Sequence, residues 1–178
     1  MISSELEAQL ERLHPESFGW ALSCCGQNEM EAEDVLQTAY LKVVSGKARF
    51  EGRSSLKTWL FGVIRRTAQE ASRRRQTREH HALRLVREEV GTPVADGPEH
   101  RLATEESRRN LLRIMEALSD RQREILHLVF YQDMTIEEAA RIMEISVGSA
   151  RTHYERAKGR LRALLEEDKG SERSATGS

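Results

Sequence analysis

Aromatic residues make up only 5% of this 178-residue chain, which carries three prolines and two cysteines. No stretch approaches the ~20 consecutive apolar residues of a membrane span. Glu5, Glu7 and Glu11 interrupt the N-terminus where a secretory leader needs an apolar core, so a soluble, cytoplasmic protein with no membrane insertion is expected. Cys24 and Cys25 are adjacent, a spacing that suits neither a loop-closing disulfide nor a tetrahedral zinc site. Two small, half-buried helix residues are expected there, with direct sensing of oxidants as the alternative. Six histidines are the remaining raw material for catalysis, but His80, His81 and His100 have no cysteine or carboxylate at ligand spacing. No glycine-rich phosphate loop or serine elbow is present either, so no enzyme, cofactor or metal is expected. No segment sustains the β-branched alternation of a strand, which leaves an all-α fold.

What the chain has is charge, unevenly spread. Lys and Arg number 28 against 29 Asp and Glu, a net charge of −1. Between Arg65 and Arg87, however, eight arginines face only Glu70 and Glu79. That stretch is suited to polyanions.

Apolar spacing organises the rest. Leu6, Leu10 and Leu13 predict a first helix, Pro15 a break, and Phe18 to Cys25 a second helix. Val35, Leu36, Ala39, Tyr40, Val43 and Val44 predict a third, capped by Asn28 and ended by Gly46. Its opposite face carries Asp34, Gln37 and Leu41, an exposed trio suited to docking a partner. After a loop from Ser45 to Ser55 with Phe50 in its middle, Ser54 or Ser55 caps a fourth helix. Leu56, Leu60, Val63, Thr67 and Ala71 form its buried stripe, with Trp59 beside it as a core anchor or, less readily, a stacking platform. Arg65, Gln69 and Arg73 align on another face, and Arg66, Arg74 and Arg75 widen it into a ridge that fits nucleic acid.

Gly91 to Pro98 has no helical or strand period and reads as a flexible connection. The expected plan is two small helical domains, 1–78 and 109–166, joined by a linker over 79–108, with a disordered tail over 167–178. In the second domain Ser119 with Gln122, and Thr135 with Glu138, are capping boxes. A short helix with Ala139, Ala140, Ile142 and Met143 inward, a turn at Glu144 and Ile145, and a long helix capped by Ser146 form a helix-turn-helix. Val147, Ala150, Tyr154, Ala157, Leu161 and Leu164 make the inner stripe of the long helix. Arg151, Thr152, Glu155 and Arg156 share an outward face near its start, the part that enters a major groove. His153, Lys158, Arg160 and Arg162 are placed to approach phosphates.

Taken together, the two halves resemble the extracytoplasmic-function sigma factors, the small sigma-70-type initiation subunits of bacterial RNA polymerase that keep regions 2 and 4. Residues 31–43 and 50–60 resemble region 2, and residues 118–165, with Ile145-Ser146-Val147-Gly148-Ser149, resemble region 4. The resemblance implies that Asp34, Gln37 and Leu41 dock on the β′ clamp coiled coil of core RNA polymerase and that region 4 meets the β-flap. It implies melting and reading of the −10 element by Phe50, Arg53, Ser54, Lys57, Trp59, Arg65, Arg66, Gln69, Arg73 and Arg74. It implies −35 contacts from Thr135, Ser146, Ser149, Arg151, Thr152, Glu155, Arg156 and Lys158. Promoter DNA and an anti-sigma factor or other regulator are the further partners implied. Arg66 stands where the family commonly has Asn, so specificity for the −10 element is expected to be unusual, and His153 stands where the family often has a fixed charge. The competing reading is a dimeric helix-turn-helix regulator that binds DNA alone; it leaves the first half unexplained.

Overall fold

The computed structural model describes residues 4–85, 113 and 117–175, with side chains described for 4–80, 113 and 117–166. The described residues are helical with no strand among them, and no helix is long and apolar enough to cross a membrane. The chain divides into two compact units between Pro98 and Glu99. The connection around Gly91 to Pro98 lies outside the described residues.

The first unit packs three helices, α1 (Ser4–Cys24), α2 (Glu29–Val44) and α3 (Leu56–Leu85). Pro15 does not break α1 into two helices as its spacing suggests; it lies inside a single one. A mid-helix proline removes the amide that would bond the carbonyl of Glu11. Both residues are exposed, where water can take that carbonyl, while Leu10, Ser17, Trp20 and Ala21 are buried on the other side and hold both halves in line. Trp20 is the centre of this core: its Nε1–H donates to the Phe61 carbonyl at 3.0 Å, and its ring lies 5.9 Å from that of Phe61, nearly parallel at 10°.

The start of α2 is set by Asn28, whose side chain accepts from the Glu31 amide, and Ala32, Val35, Leu36, Ala39 and Val43 face inward. Val44 belongs to the opposite surface, a correction to the expected stripe. Ser55, not Ser54, caps α3: its Oγ accepts from the Thr58 amide at 3.1 Å. The buried stripe of α3 runs through Leu60, Phe61, Val63, Ile64, Thr67 and Ala68, while Ala71 is exposed, because it lines an open groove between α3 and the facing ends of α1 and α2. The helix continues through 79–85 and so enters the segment read as linker, since Gln, Arg and Glu propagate an existing helix readily.

The second unit comprises α4 (Asp120–Leu126), a π-helical turn (His127–Tyr131), α5 (Ile136–Met143) and α6 (Val147–Ala175). Both capping boxes form, at Ser119 with Gln122 and at Thr135 with Glu138. Ile125, Leu128, Ala139, Ala140, Ile142, Met143, Ala150 and Ala157 make the core, and the alanines let α5 and α6 approach closely. Val147 is exposed and drops out of the expected inner stripe, since it precedes the point where α6 meets the core. Glu144 takes the left-handed conformation (φ 56°, ψ 44°), the backbone reversal that joins α5 to α6. The helical backbone of α6 reaches Ala175, through most of the stretch read as a tail.

His127 sits in the π-helical turn with its Nε2 3.2 Å from Gln132 Nε2, and its ring stacks on Tyr131 at 5.6 Å. An amide N–H facing that nitrogen requires a neutral, accepting imidazole, and burial lowers the His127 pKa to about 4. The unfolded state therefore binds more protons between pH 6.5 and 4. The contribution to stability is complete above the unfolded value and is lost as pH falls through this window. Between pH 7 and 5 the loss is about 2 kcal/mol. Melts of the native chain and a His127→Gln variant are expected to converge by that amount over this interval; parallel profiles would contradict it.

Candidate nucleic-acid and docking interfaces

Three surfaces carry the residues singled out by the sequence. The first is the outer face of α2, where Asp34, Gln37 and Leu41 are all exposed. Met30 and Val44, which the sequence reading missed, join them: Met30 is 76% exposed, Leu41 68% and Val44 51%. Residues 30, 34, 37, 41 and 44 fall within ~80° of arc on a helix of 3.6 residues per turn, opposite the buried stripe. Their spacing of four, three, four and three is that of a coiled-coil seam, apolar at both ends with Asp34 and Gln37 between. The signal was present in the sequence as a second apolar repeat, hidden because Val44 also fits the inner rhythm.

The second surface is the loop before α3 and the outer face of that helix. Phe50 is partly exposed and its ring lies 5.3 Å from that of Trp59, tilted by 50°. Trp59 is therefore half-buried against the loop, and Trp20 is the tryptophan that anchors the core. Gly52 (φ +70°) turns the chain beside Phe50 in a conformation that favours glycine. Arg53 projects into solvent with Glu51 3.0 Å away, and the Ser54 hydroxyl donates to the Ser55 carbonyl at 3.1 Å. Lys57 is not an open phosphate contact: its Nζ lies 2.7 Å from Glu16 and 5.6 Å over the Phe61 ring.

Along α3, Arg66, Arg73 and Arg74 are exposed and form the expected ridge, whereas Arg75, half a turn round from Arg66, reaches toward α2 and pairs with Glu31. Arg65 does not belong to the ridge either. At 4% exposure it lies on the turn between Phe61 and Ala68, which points into the unit, and with the Gln69 amide turned to accept, its guanidinium reaches that oxygen at 2.9 and 3.1 Å. Gln69 is thereby committed to Arg65. A buried arginine is tolerated because its donors find partners inside the protein.

The third surface is the start of α6. Arg151, Thr152, Glu155, Arg156, Arg160 and Arg162 are exposed, with Lys158 and His153 half-buried. Arg151 Nη2 stands 3.9 Å from Glu137 on α5, a loose pair, and Glu155 meets Lys158 at 2.8 Å. Lys158 also lies 4.5 Å over the Tyr154 ring. The hydroxyls of Thr135, Ser146 and Ser149 already serve helix starts: Thr135 Oγ1 accepts from the Glu138 amide, and Ser146 Oγ accepts from the Ser149 amide and donates to Ser149 Oγ. They fix the pose of α5 and α6.

Neither cysteine forms a disulfide; both are half-buried, and desolvation raises the Cys25 pKa, with the Arg75 charge opposing it. A thiol held protonated in this way is a slow nucleophile, which favours a structural reading of Cys25. No cluster of three metal-ligating side chains occurs among the described residues.

A three-helix unit with an exposed seam on α2 and an arginine ridge, followed by a unit carrying a helix-turn-helix, defines a class of two-unit helical DNA-binding proteins. The sigma-70 region 2 family model matches residues 10–78 and the sigma-70 region 4 model matches residues 108–161. The chain is 30% identical over 141 residues to the RNA polymerase sigma factor CarQ of Myxococcus xanthus, covering 79% of this chain and 78% of that one. It is 29% identical over 147 residues to the extracytoplasmic-function sigma factor SigX of Bacillus subtilis, covering 79% of this chain and 73% of that one. Among solved structures it is similar to the sigma factor RpoE, co-crystallised with the anti-sigma factor NepR, from Bartonella quintana. The TM-score is 0.71 at 26% identity, over 92% of this chain and 98% of that one. This chain belongs to the sigma-70 family, in its extracytoplasmic-function group, and is an RNA polymerase sigma factor. It is an initiation factor rather than an enzyme.

Proposed function

We propose that the outer seam of α2 docks this sigma factor on the β′ clamp coiled coil of core RNA polymerase. The observation that carries this is the second apolar face of α2: five residues at coiled-coil spacing are exposed on a helix whose other side is buried. Asp34 and Gln37 fix register at the seam's centre, and Leu41, Met30 and Val44 supply apolar contact. Phe50 and Trp59 form the aromatic wall against which an unstacked −10 base rests, with Arg53 and Ser54 beside it. Arg66, Arg73 and Arg74 hold the strand's phosphates, and Arg65, Gln69 and Lys57 support the helix that presents them.

In region 4, α6 enters the major groove at the −35 element while the same unit meets the β-flap. Arg151 and Arg156 are the candidates for forked contacts to guanine, each worth about 1–3 kcal/mol of discrimination. Action on core polymerase puts the protein in the cytoplasm, and the likeness to a sigma factor solved with an anti-sigma factor supports a regulator of that kind as a further partner. The dimeric stand-alone regulator is not favoured, because it gives the seam and ridge of the first unit no role.

Run-off transcription tests the reading. Specific initiation is expected only when core polymerase and this chain are both present. Arg151→Ala should weaken promoter binding about 10- to 100-fold and relax preference at one base pair, whereas Arg160→Ala should weaken all sequences alike. Tight, core-independent binding to a palindromic duplex would instead support the stand-alone regulator.

A further inference from the structure

The outward face of α6 carries two opposite charges at a spacing that invites them to cancel. Arg151 and Glu155 stand four apart, where helix-surface charges pair, yet each is drawn to another partner. Arg151 Nη2 leans toward Glu137 on α5 at 3.9 Å, and Glu155 Oε1 is taken by Lys158 Nζ at 2.8 Å. Lys158 is held from its other side as well: its Nζ lies 4.5 Å over the ring of Tyr154, which is half-buried on the inner side of the helix. At about 100° per residue, Glu155 falls ~140° round from buried Ala150 and Lys158 only ~80°. The glutamate therefore faces outward while the lysine lies at the edge of the reading face, its side chain 31% exposed against 61% for Glu155.

We infer that Lys158 is a positioning residue rather than a phosphate ligand, and that Glu155, held by it, is a specificity-determining residue that selects a cytosine in the −35 duplex. The inference rests on the reading of α6 as the helix that enters the major groove. A carboxylate accepts through both oxygens, so with Oε1 on Lys158 the other can take a base-edge amino group. The major groove offers such a donor on cytosine N4 and on adenine N6. Adenine presents its N7 acceptor beside that donor, which repels a carboxylate, and cytosine does not. Lys158 serves the contact in two ways. It keeps Glu155 from turning back to neutralise Arg151, and its charge offsets the repulsion of a carboxylate brought among phosphates.

The test is selection from duplexes randomised over the upstream element by holoenzyme reconstituted from core polymerase and the full-length chain, with the bound pool sequenced and the winning duplex titrated over a range of salt. The native chain is expected to favour cytosine at one position. Glu155→Ala should reduce that preference about 5- to 100-fold, and Glu155→Gln should move it toward adenine, which an amide bonds in a fork. Lys158→Gln should flatten the cytosine preference with the salt slope unchanged, and Lys158→Arg, which keeps a cation for both Glu155 and the Tyr154 ring, should restore it. An exposed ion pair contributes little to stability, so these variants fold, which thermal melts verify. The inference is overturned if the native chain favours no cytosine, or if the preference survives Glu155→Ala. It is overturned equally if Lys158→Gln weakens every sequence alike and lowers the salt slope by about 0.9, the mark of a lost phosphate contact. Arg151→Ala checks the underlying reading separately. If neither it nor Glu155→Ala alters any base preference, α6 is not the reading helix; if Arg151→Ala alone does, that reading stands and only the role of Glu155 and Lys158 falls.

Discussion

Leu41→Glu is expected to leave the first unit folded and to lower affinity for core RNA polymerase by more than about 100-fold. The side chain is 68% exposed in the free protein, so the substitution falls where surface changes shift stability by less than ~0.5 kcal/mol. Its effect arises in the complex. On the seam the new carboxylate would be desolvated against an apolar partner surface, a cost of about 3 kcal/mol or more for a charge without a counter-ion. Asp34→Ala combined with Gln37→Ala reaches a similar loss by a different route, since removing one side of a buried, hydrogen-bonded contact costs about 2–5 kcal/mol. Met30→Ala, at the seam's end, should lose less. Direct binding to core polymerase, with circular dichroism as the control for fold, measures each. Leu41→Glu that binds core like the native chain would remove the seam from the docking assignment.

The helices, their caps and the helix-turn-helix were legible in the sequence because each rests on a local signal. Asn28, Ser119, Thr135 and Ser146 all cap where their side chains suggest. The errors share a cause, which is that local spacing does not say how far a neighbour extends. Pro15 reads as a break until packing on both sides of it is known, and Val44 reads as core until α2 is seen to have two apolar faces. Arg65 is the instructive case. Arginine periodicity puts it on the ridge, but the buried face of α3 is wide enough to include residue 65, and the side chain turns inward to Gln69. Trp59 was ambiguous in the sequence because a tryptophan beside a helix stripe serves either core or surface. The presence of Trp20 at the centre of the unit leaves Trp59 to the loop and Phe50. The pair Glu31–Arg75 joins residues far apart in sequence, so no local pattern announces it.

Trp20→Ala is expected to unfold the first unit while leaving the second intact. Truncating a fully buried tryptophan costs about 3–5 kcal/mol, and the whole stability of a small domain is about 5–15 kcal/mol. Here the loss includes the near-parallel contact with Phe61 and the indole hydrogen bond to its carbonyl, which together tie α1 to α3. Trp20→Phe keeps most of the apolar volume and should cost about 1–2 kcal/mol, enough to lower the melting temperature without loss of function. Because each unit has its own core, the helix-turn-helix should keep its native melting transition and its contact with −35 duplex in the Trp20→Ala chain. Core docking and strand capture should vanish together, since the seam on α2 and the ridge on α3 are carried by helices that share the one core Trp20 occupies. Thermal unfolding resolved into two transitions measures this directly: the first should shift or disappear while the second stays in place. A single transition that moves as a whole would mean that the two cores are energetically coupled, and that Trp20 supports the entire chain rather than the docking unit alone.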